Sequence, residues 1–349
     1  MIRDHSFLNS LSYMNPHPSR QEKILILLAT HNGEKYLPQQ LESIANQSLK
    51  SWELYIRDDA SDDRTVEIIT EWAAGMEKGQ VRLQSSKEST PVGALANFAA
   101  LCKWALRSDA QYYCFCDQDD YWHPDKLEIM LDRIAQIGSR YASEVPVLVH
   151  CDLQVVDRSR EILSQSFMSY QGLPDPLTHS LSKLLIQNNV TGCASMFNRA
   201  LLELATPVPD NILIHDWWFA LCAESTGHIG FIEQPLIDYR QHGDNLVGAR
   251  ARNISRNPLK REFYKIALSF PRHLKHSMLQ NKLLLKRIRE RDFKSPKLDV
   301  LESYSKLGFR RYHERVKILN AMLNVRHEIL VLLYLIIISL FRPEKKMET

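Results

Sequence analysis

Apolar positions along the chain change their spacing in a regular order. Lys23 to Thr30 (KILILLAT) is a continuous apolar run, as expected for a strand buried on both faces. After the turn His31-Asn32-Gly33-Glu34, the residues Tyr36, Leu37, Leu41, Ile44 and Ala45 recur at helical spacing. Trp52 to Arg57 predicts a second strand, which ends in the polar run Asp58-Asp59-Ala60-Ser61-Asp62-Asp63-Arg64-Thr65. Val66, Ile69 and Trp72 then mark a helix that Ser61 or Asp62 is expected to cap. Val81 to Gln84 predicts a third strand, Gly93 to Leu106 an amphipathic helix, Tyr112 to Cys116 a fourth strand and Lys126 to Ile137 another helix. Strand–helix alternation of this kind implies right-handed βαβ units, hence an α/β fold around a mostly parallel, Rossmann-like sheet.

Beyond Ile137 the pattern is less regular. Val147 to Leu153 predicts a strand, Gln165 to Pro176 a loop, and Thr191 to Phe197 a strand or turn. Helices are expected over Arg199 to Ala205 and Asp216 to Glu224, with short strands over Ile229 to Ile232 and Leu236 to Arg240. Past Gly248 the chain turns to basic helices, and Ile329 to Phe341 is a stretch of thirteen residues with Ser339 as its only strongly polar member. Three regions follow: a polar extension over 1–22, an α/β domain over 23–248, and a basic helical region over 249–349.

With 349 residues and 44% hydrophobic content, the chain can bury one large core or two smaller ones. Met1 to Glu22 is broken by Pro16 and Pro18 and carries no apolar run fit for a signal peptide. The six cysteines show no zinc spacing; Cys114 and Cys116 are expected on opposite faces of their strand. Reduced, buried thiols of a cytoplasmic protein are the resulting expectation. The net charge of +3 hides an asymmetry, with 24 Lys+Arg against 9 Asp+Glu from Arg250 onward and 20 against 32 before it. A basic region is drawn to an anionic membrane surface by about 1 kcal/mol per Lys or Arg near it. No nucleic-acid motif accompanies the charge, so nucleic acid is not the expected partner. A helix over Ile329 to Phe341 would span roughly 20 Å, short of the ~30 Å hydrocarbon core. It reads as a monotopic or docking helix, or else as a core helix packed on the α/β domain.

The chemistry concentrates at Cys114-Phe115-Cys116-Asp117-Gln118-Asp119-Asp120-Tyr121-Trp122. Here a short apolar strand delivers three carboxylates at its end, where ligands bind in open α/β sheets. Crowded acids repel one another unless a cation sits between them, and hard oxygen ligands suit Mg²⁺ or Mn²⁺. An acidic helix start is the competing explanation, with Pro124 at an early position and acids favouring the dipole. It is the better reading of Asp125, whereas Asp117 and Asp119 read as metal-binding. The Asp58-Asp59 turn falls on the same sheet edge. A carboxylate there can accept a hydrogen bond from a pyrimidine N3–H while His31 stacks on the base, or it can simply close an Asx turn.

THNGEKYLPQQLESIANQS, WELYIRDDASDDRT, GALANFAAL and CDQDDYWHPDKL, in this order and spacing, resemble the family-two GT-A glycosyltransferases. TGCASMFNRAL, HDWWFA and YRQHGDNLVG look like the subgroup that transfers rhamnose or related sugars onto bacterial surface polysaccharides. The resemblance covers about residues 23 to 247 and makes 23–248 a catalytic domain. It implies a nucleotide-sugar-binding fold, a divalent metal (Mn²⁺ or Mg²⁺) and an inverting mechanism. By motif, Asp59 would hold the base with Ala29, His31 and Asn32 around it, Ala29 standing where a small hydroxyl is usual. Asn97 would line the nucleotide pocket, and Asp117 and Gln118 would sit by the ribose. Asp119 would ligate the metal bridging the diphosphate, with Asp117 completing the pair of acids that flank one residue and Asp120 as an extra acid. His242 would close over the metal or diphosphate, although a lone histidine is as often a surface or otherwise satisfied residue.

Asp216 matches the family's catalytic base. An inverting displacement needs a carboxylate to take the proton of the attacking hydroxyl; a helix cap is the plainer role for the same residue. Of Trp217 and Trp218, one is expected to wall a sugar ring and the other to join the core. The partners implied are a dTDP- or UDP-linked sugar and a lipid-linked glycan of O-antigen, capsule or exopolysaccharide synthesis. The location implied is the cytoplasmic side of the cell membrane, peripherally attached through the C-terminal region. The alternative is a non-catalytic nucleotide- or carbohydrate-binding module with the same fold, which would have no need of Asp216. A nucleotidyltransferase would want a glycine-rich, basic phosphate loop after the first strand, and His31-Asn32-Gly33-Glu34 is a poor match.

Overall fold

The computed structural model describes residues 22–86, 90–178, 180–242, 276–293 and 295–305. Its first half follows the predicted alternation: β1 (Ile24–Thr30), α1 (Leu37–Ala45), β2 (Trp52–Asp58), α2 (Thr65–Ala73), β3 (Val81–Ser85), α3 (Ala94–Ala105) and β4 (Tyr112–Cys116). Then come β5 (Tyr121–Trp122), α4 (Lys126–Gly138), β6 (Val147–Val156), β7 (Ile162–Ser164), α5 (Phe167–Gln171) and α6 (Leu181–Leu184). A 3₁₀ turn (Gly192–Ala194) leads into β8 (Ser195–Asn198), α7 (Arg199–Ala205), α8 (His215–Thr226) and β9 (His228–Arg240). Two later helices are described, α9 over 276–290 and α10 (Leu298–Ser305).

The nine strands among the described residues form one sheet in the order β3-β2-β1-β4-β8-β6-β9-β5, with β7 paired to β6. Parallel pairings of β1 with β2 and β4, β2 with β3, and β6 with β9 make the sheet mostly parallel. Only β5, β7 and β8 run against the rest. Alternation along β1 sends Leu25 and Leu27 to a cluster shared with α3, α7, α8, α9 and α10, and Ile24, Ile26 and Leu28 to a cluster shared with α1 and α4. The strand is thus buried on both faces, which is why its sequence is apolar throughout. Leu284, Leu285 and Ile288 of α9, with Leu301 and Tyr304 of α10, are buried in the first cluster. The described part of the C-terminal region therefore completes the core of the α/β domain.

Several sequence expectations need correction. Cys114 and Cys116 share one face and one cluster, while Tyr113 and Phe115 face the other, because side chains two apart in a strand point the same way. Neither Ser61 nor Asp62 caps α2, whose N-cap position is Arg64 with no side-chain cap; both residues bond instead to the turn after β1. The stretch expected as a loop over 165–176 contains α5, capped by Ser166 through the Ser169 N–H and closed by Gly172 at φ 64°. The two strands expected around Ile229 and Leu236 are the single β9, which stays paired to β6 through register shifts near Asp152 and Pro235. The short elements β5, β7 and α6 carry no periodic signal. Ile329 to Phe341 and residues 1–21 lie outside the described residues. No helix among the described residues is long and apolar enough to cross a membrane.

Candidate active site

The order β3-β2-β1-β4 reverses between β1 and β4, the kind of point at which open α/β sheets bind ligands. Leu28 lies opposite Cys116, so the loop after β1 and the acids after β4 leave the sheet side by side. Gln118 ties the two loops together. Its Oε1 accepts the His31 N–H at 2.9 Å and its Nε2 donates to the His31 carbonyl at 2.8 Å. A Cβ on Gly33 would stand 2.8 Å from Gln118 Cδ and closer still to Oε1, so only glycine admits this crossing unchanged. Gln118, expected by the ribose, thus spends both ends of its amide on the backbone.

The loops after β1 and β2 are laced to each other. His31 Nδ1 is 2.8 Å from the Asp59 carbonyl. Asn32, at φ 48°, accepts the Asp62 N–H at 2.9 Å and donates its own N–H to Ser61 Oγ at 2.9 Å. The buried Asp58 takes Thr30 Oγ1 and the Ser61 N–H, each at 3.0 Å. Asp59 is buried too, its two oxygens taking the Val92 and Gly93 N–H groups at 3.0 and 2.8 Å, with Arg57 Nη1 at 3.7 Å. Gly93 supplies φ 90° at that approach, a conformation open to glycine. Ala29 is half-buried and opposite Arg57 in the ladder. Asn97, expected against the nucleotide, is 2% exposed and braces Arg57, accepting from Nη1 at 2.8 Å and donating to the Arg57 and Thr30 carbonyls.

Asp117, Gln118 and Asp119 are half-buried, and Asp120 is fully buried. Asp119 Oδ2 is 2.9 Å from His242 Nε2, and the His242 ring stacks on Tyr36 at 4.8 Å. Arg240 reaches into the same loop, its Nε on the Asp119 carbonyl at 3.0 Å and its N–H on Asp120 Oδ1 at 3.3 Å. Burial, then the charges of Asp119 and Asp216, raise the Asp117 carboxyl above its usual range. Burial, then Asp119 and Asp117, raise Asp120 further. The buried Lys126 ammonium, 3.1 Å over the Trp122 ring, works in the opposite direction on Asp117. Crowded carboxylates with an imidazole at their edge fit a hard divalent cation, which would relieve this repulsion.

Asp216 stands across from these acids in the first turn of α8. Asn188 Nδ2 donates to its Oδ1 at 3.0 Å and the Gly192 N–H to its Oδ2 at 3.0 Å. Burial pushes its carboxyl up to about 7, against the pull of the Gly192, Trp217 and Asn188 donors. That places its proton affinity where a general base operates near neutral pH. His215 beside it is held neutral by burial, down to about 3, between Phe98 at 3.9 Å and Phe115 at 4.6 Å. The expectation for the tryptophans is corrected. Both are core, with Trp217 Nε1 on the Leu184 carbonyl at 2.7 Å and Trp218 Nε1 on the Ala205 carbonyl at 2.8 Å. The fold therefore brings Asp117, Asp119, His242 and Asp216 to one crevice beside Asp59 and His31. Asn188, Gly192 and Cys193 also belong there. Gly192 and Cys193 carried a signal in their motif, whereas Asn188 carried none.

The Glycosyl transferase family 2 profile matches residues 25–204, more than half of the chain. The protein belongs to glycosyl transferase family 2. This family member is 28% identical to the dTDP-rhamnosyl transferase RfbG of Shigella flexneri over 225 residues, which cover 64% of this chain and 74% of RfbG. It is 27% identical to the putative glycosyltransferase EpsH of Bacillus subtilis (strain 168), across 64% of this chain and 62% of EpsH. Among solved structures, S. aureus TarS 1-349 in complex with UDP aligns at a TM-score of 0.51 and 15% identity, covering 89% of this chain and 86% of that 1-349 chain. GalNAc-T7 with UDP, GalNAc and Mn²⁺ aligns at 0.53 and 13% identity, covering 81% of this chain and 56% of that one. These structures share the GT-A fold with the family-2 glycosyltransferase described here.

Proposed function

We propose that this glycosyltransferase is an inverting, metal-dependent enzyme that moves a sugar, with rhamnose the leading candidate, from a dTDP- or UDP-linked donor to a lipid-linked glycan in surface-polysaccharide synthesis. The observation that carries the reading is Asp216, a buried carboxylate raised to about 7 and oriented by Asn188 and Gly192, facing the acids that follow β4. The rhamnosyl choice leans on the likeness to RfbG. The base of the donor would lie on His31 and against Asp59, whose oxygens each keep a lone pair beyond the Val92 and Gly93 bonds. Asp119, Asp117 and His242 would hold Mg²⁺ or Mn²⁺, which when bound stabilises charge developing on the leaving diphosphate.

Asp216 takes the proton of the acceptor hydroxyl as that oxygen bonds to the anomeric carbon. The bond from that carbon to the diphosphate oxygen breaks on the opposite face, so the configuration inverts. The Asn188 amide and Gly192 N–H fix the carboxylate so that its basic oxygen need not reorganise during transfer. The basic C-terminal region and the apolar Ile329 to Phe341 would attach the protein peripherally to the inner face of the membrane, near a lipid-linked acceptor.

A positioned base typically contributes 10²–10⁴-fold. Asp216→Asn keeps the size and removes the basicity. It should cut transfer, scored by release of nucleoside diphosphate, by at least about 10²-fold with nucleotide affinity nearly unchanged. Transfer at the wild-type rate would place the base elsewhere and leave room for a binding module with the same fold.

A further inference from the structure

We propose that the groove between α3 and the open edge of β3 docks an extended acidic segment of a partner protein, which joins the sheet as a further strand beside β3. The groove has a volume of about 460 Å³ and is lined by Leu83 and Gln84 of β3 and by Ala100, Lys103, Trp104 and Arg107 of α3. These four α3 positions recur at i, i+3, i+4 and i+7 and so share one face of the helix. α3 packs over β1 and β2, and this face overhangs the margin of the sheet. The crevice is approached instead by Gly93 and Asn97, at the other end of the same helix. Among the described strands β3 is paired with β2 alone. The Leu54 N–H donates to the Gln80 carbonyl and the Ser86 N–H to the Asp58 carbonyl, each at 2.8 Å. In a parallel ladder the even-numbered residues between them also bond β2, so Val81, Leu83 and Ser85 turn their N–H and C=O groups to the open edge. Edges of this kind are commonly guarded by a charged side chain. Arg82 does not guard this one, because it lies over the Tyr55 ring at 5.3 Å with its Nη2 4.0 Å from Glu53.

Charge and spacing select the occupant. Lys103 and Arg107 are exposed, and neither side chain has an ion pair or hydrogen bond among the described residues. Between them Trp104 is half-buried and stacked on Tyr55 at 4.3 Å. As the crossover helix from β3 to β4, α3 runs back along the strands, and one helical turn sets the two cations about 6 Å apart on its axis. Side chains two apart on an added strand lie about 6.5 Å apart on one face. Acidic residues at alternate positions therefore meet both cations across Trp104. The residues between them fall on the opposite face, where Val81 and Leu83 pack against an apolar cluster, so those residues are apolar. Main-chain hydrogen bonds to the Leu83 edge supply affinity, and the alternating side chains supply specificity. A second copy of β3 is a poor occupant, since it would bring Arg82 and its own groove cations against Lys103 and Arg107. An acidic glycan would meet the cations but has no backbone to continue the ladder.

The test titrates the full chain with a labelled, end-capped peptide of four Glu-Val repeats and reads binding by fluorescence anisotropy. Lys103→Glu combined with Arg107→Glu should lower the affinity at least about tenfold, because two attractive exposed pairs become repulsive. A peptide of four Lys-Val repeats should ignore the wild-type protein and bind that double variant. Methylating alternate peptide nitrogens should abolish binding, and the unmethylated peptide should slow hydrogen exchange at Leu83 and Ser85 in the wild-type protein. These last two readouts need no variant, so they decide the matter even if the double variant does not fold. None of the measurements involves turnover, so their outcome stands apart from that of the proposed catalytic function. No binding of the Glu-Val peptide, or equal binding of its methylated form, overturns the proposal. So does displacement of the peptide by oligogalacturonate with exchange at β3 unchanged, which would make the groove a site for acidic glycans.

Discussion

On the β1–β2 side of the crevice, Asp58 and Asp59 are each 2% exposed, and every one of their four oxygens has a donor from the chain. On the β4–α8 side, Asp120 is more deeply buried and its Oδ2 takes no nitrogen or oxygen donor among the described residues, and burial drives Asp117, Asp120 and Asp216 upward. A carboxylate saturated by backbone N–H groups is fixed in place and offers a ligand a preset contact. A carboxylate left short of donors has a charge that depends on what binds beside it. On the proposed function, the first side would serve recognition and the second a change of charge during the reaction.

The largest effect should come from breaking the reactive side. Chelation by EDTA should abolish transfer and Mg²⁺ or Mn²⁺ restore it, while Asp119→Asn should lose turnover with little change in thermal midpoint. Full activity in the chelator overturns the metal assignment. Next comes pH. Asp216 must be ionised to accept a proton, and its carboxyl is raised to about 7. The ionised fraction, and with it kcat/KM, should therefore fall about tenfold per unit below that point and level off above it. A rate flat from pH 5 to 8 removes Asp216 from the proton transfer.

The recognition side should respond more mildly. Asp59→Ala should weaken nucleotide binding, read by calorimetry, by about 1.5–3 kcal/mol, the worth of a charge-assisted hydrogen bond. Unchanged affinity for both UDP and dTDP returns Asp59 to the role of a turn residue. Gly33→Ala should be the smallest change. It displaces Gln118 and its two bonds to His31, each worth about 0.5–1.5 kcal/mol, and should lower the denaturant midpoint accordingly. A midpoint equal to wild type means that Gln118 has another place to go.

The same contrast explains what could be read in the sequence. β1 to β4 and α1 to α4 announce themselves because apolar period and turn residues agree along each segment. The acids at their ends were legible because the strands deliver them to a single edge. Asn188 was not, since its only link to Asp216 is contact across 28 residues. Trp217 and Trp218 are ambiguous in the sequence because aromatic rings beside a candidate catalytic base suit either a sugar or a core, and the carbonyls of Leu184 and Ala205 decide. β5 and β7, two and three residues long, exist because β9 and β6 offer them partners. β9 reads as two strands in the sequence because Glu233-Gln234-Pro235 interrupts its apolar pattern, while pairing with β6 carries the strand across.

The 3₁₀ turn at Gly192–Ala194 holds Asp216 through the Gly192 N–H, and one residue later its Cys193 thiol touches the acids after β4. Only one peptide plane and a few rotatable bonds separate the two contacts, so on the proposed function this short turn would tie the proton acceptor to the acids of the donor site. On the same reading, a change of acceptor hydroxyl would fall to the walls around the crevice and leave this turn as it is.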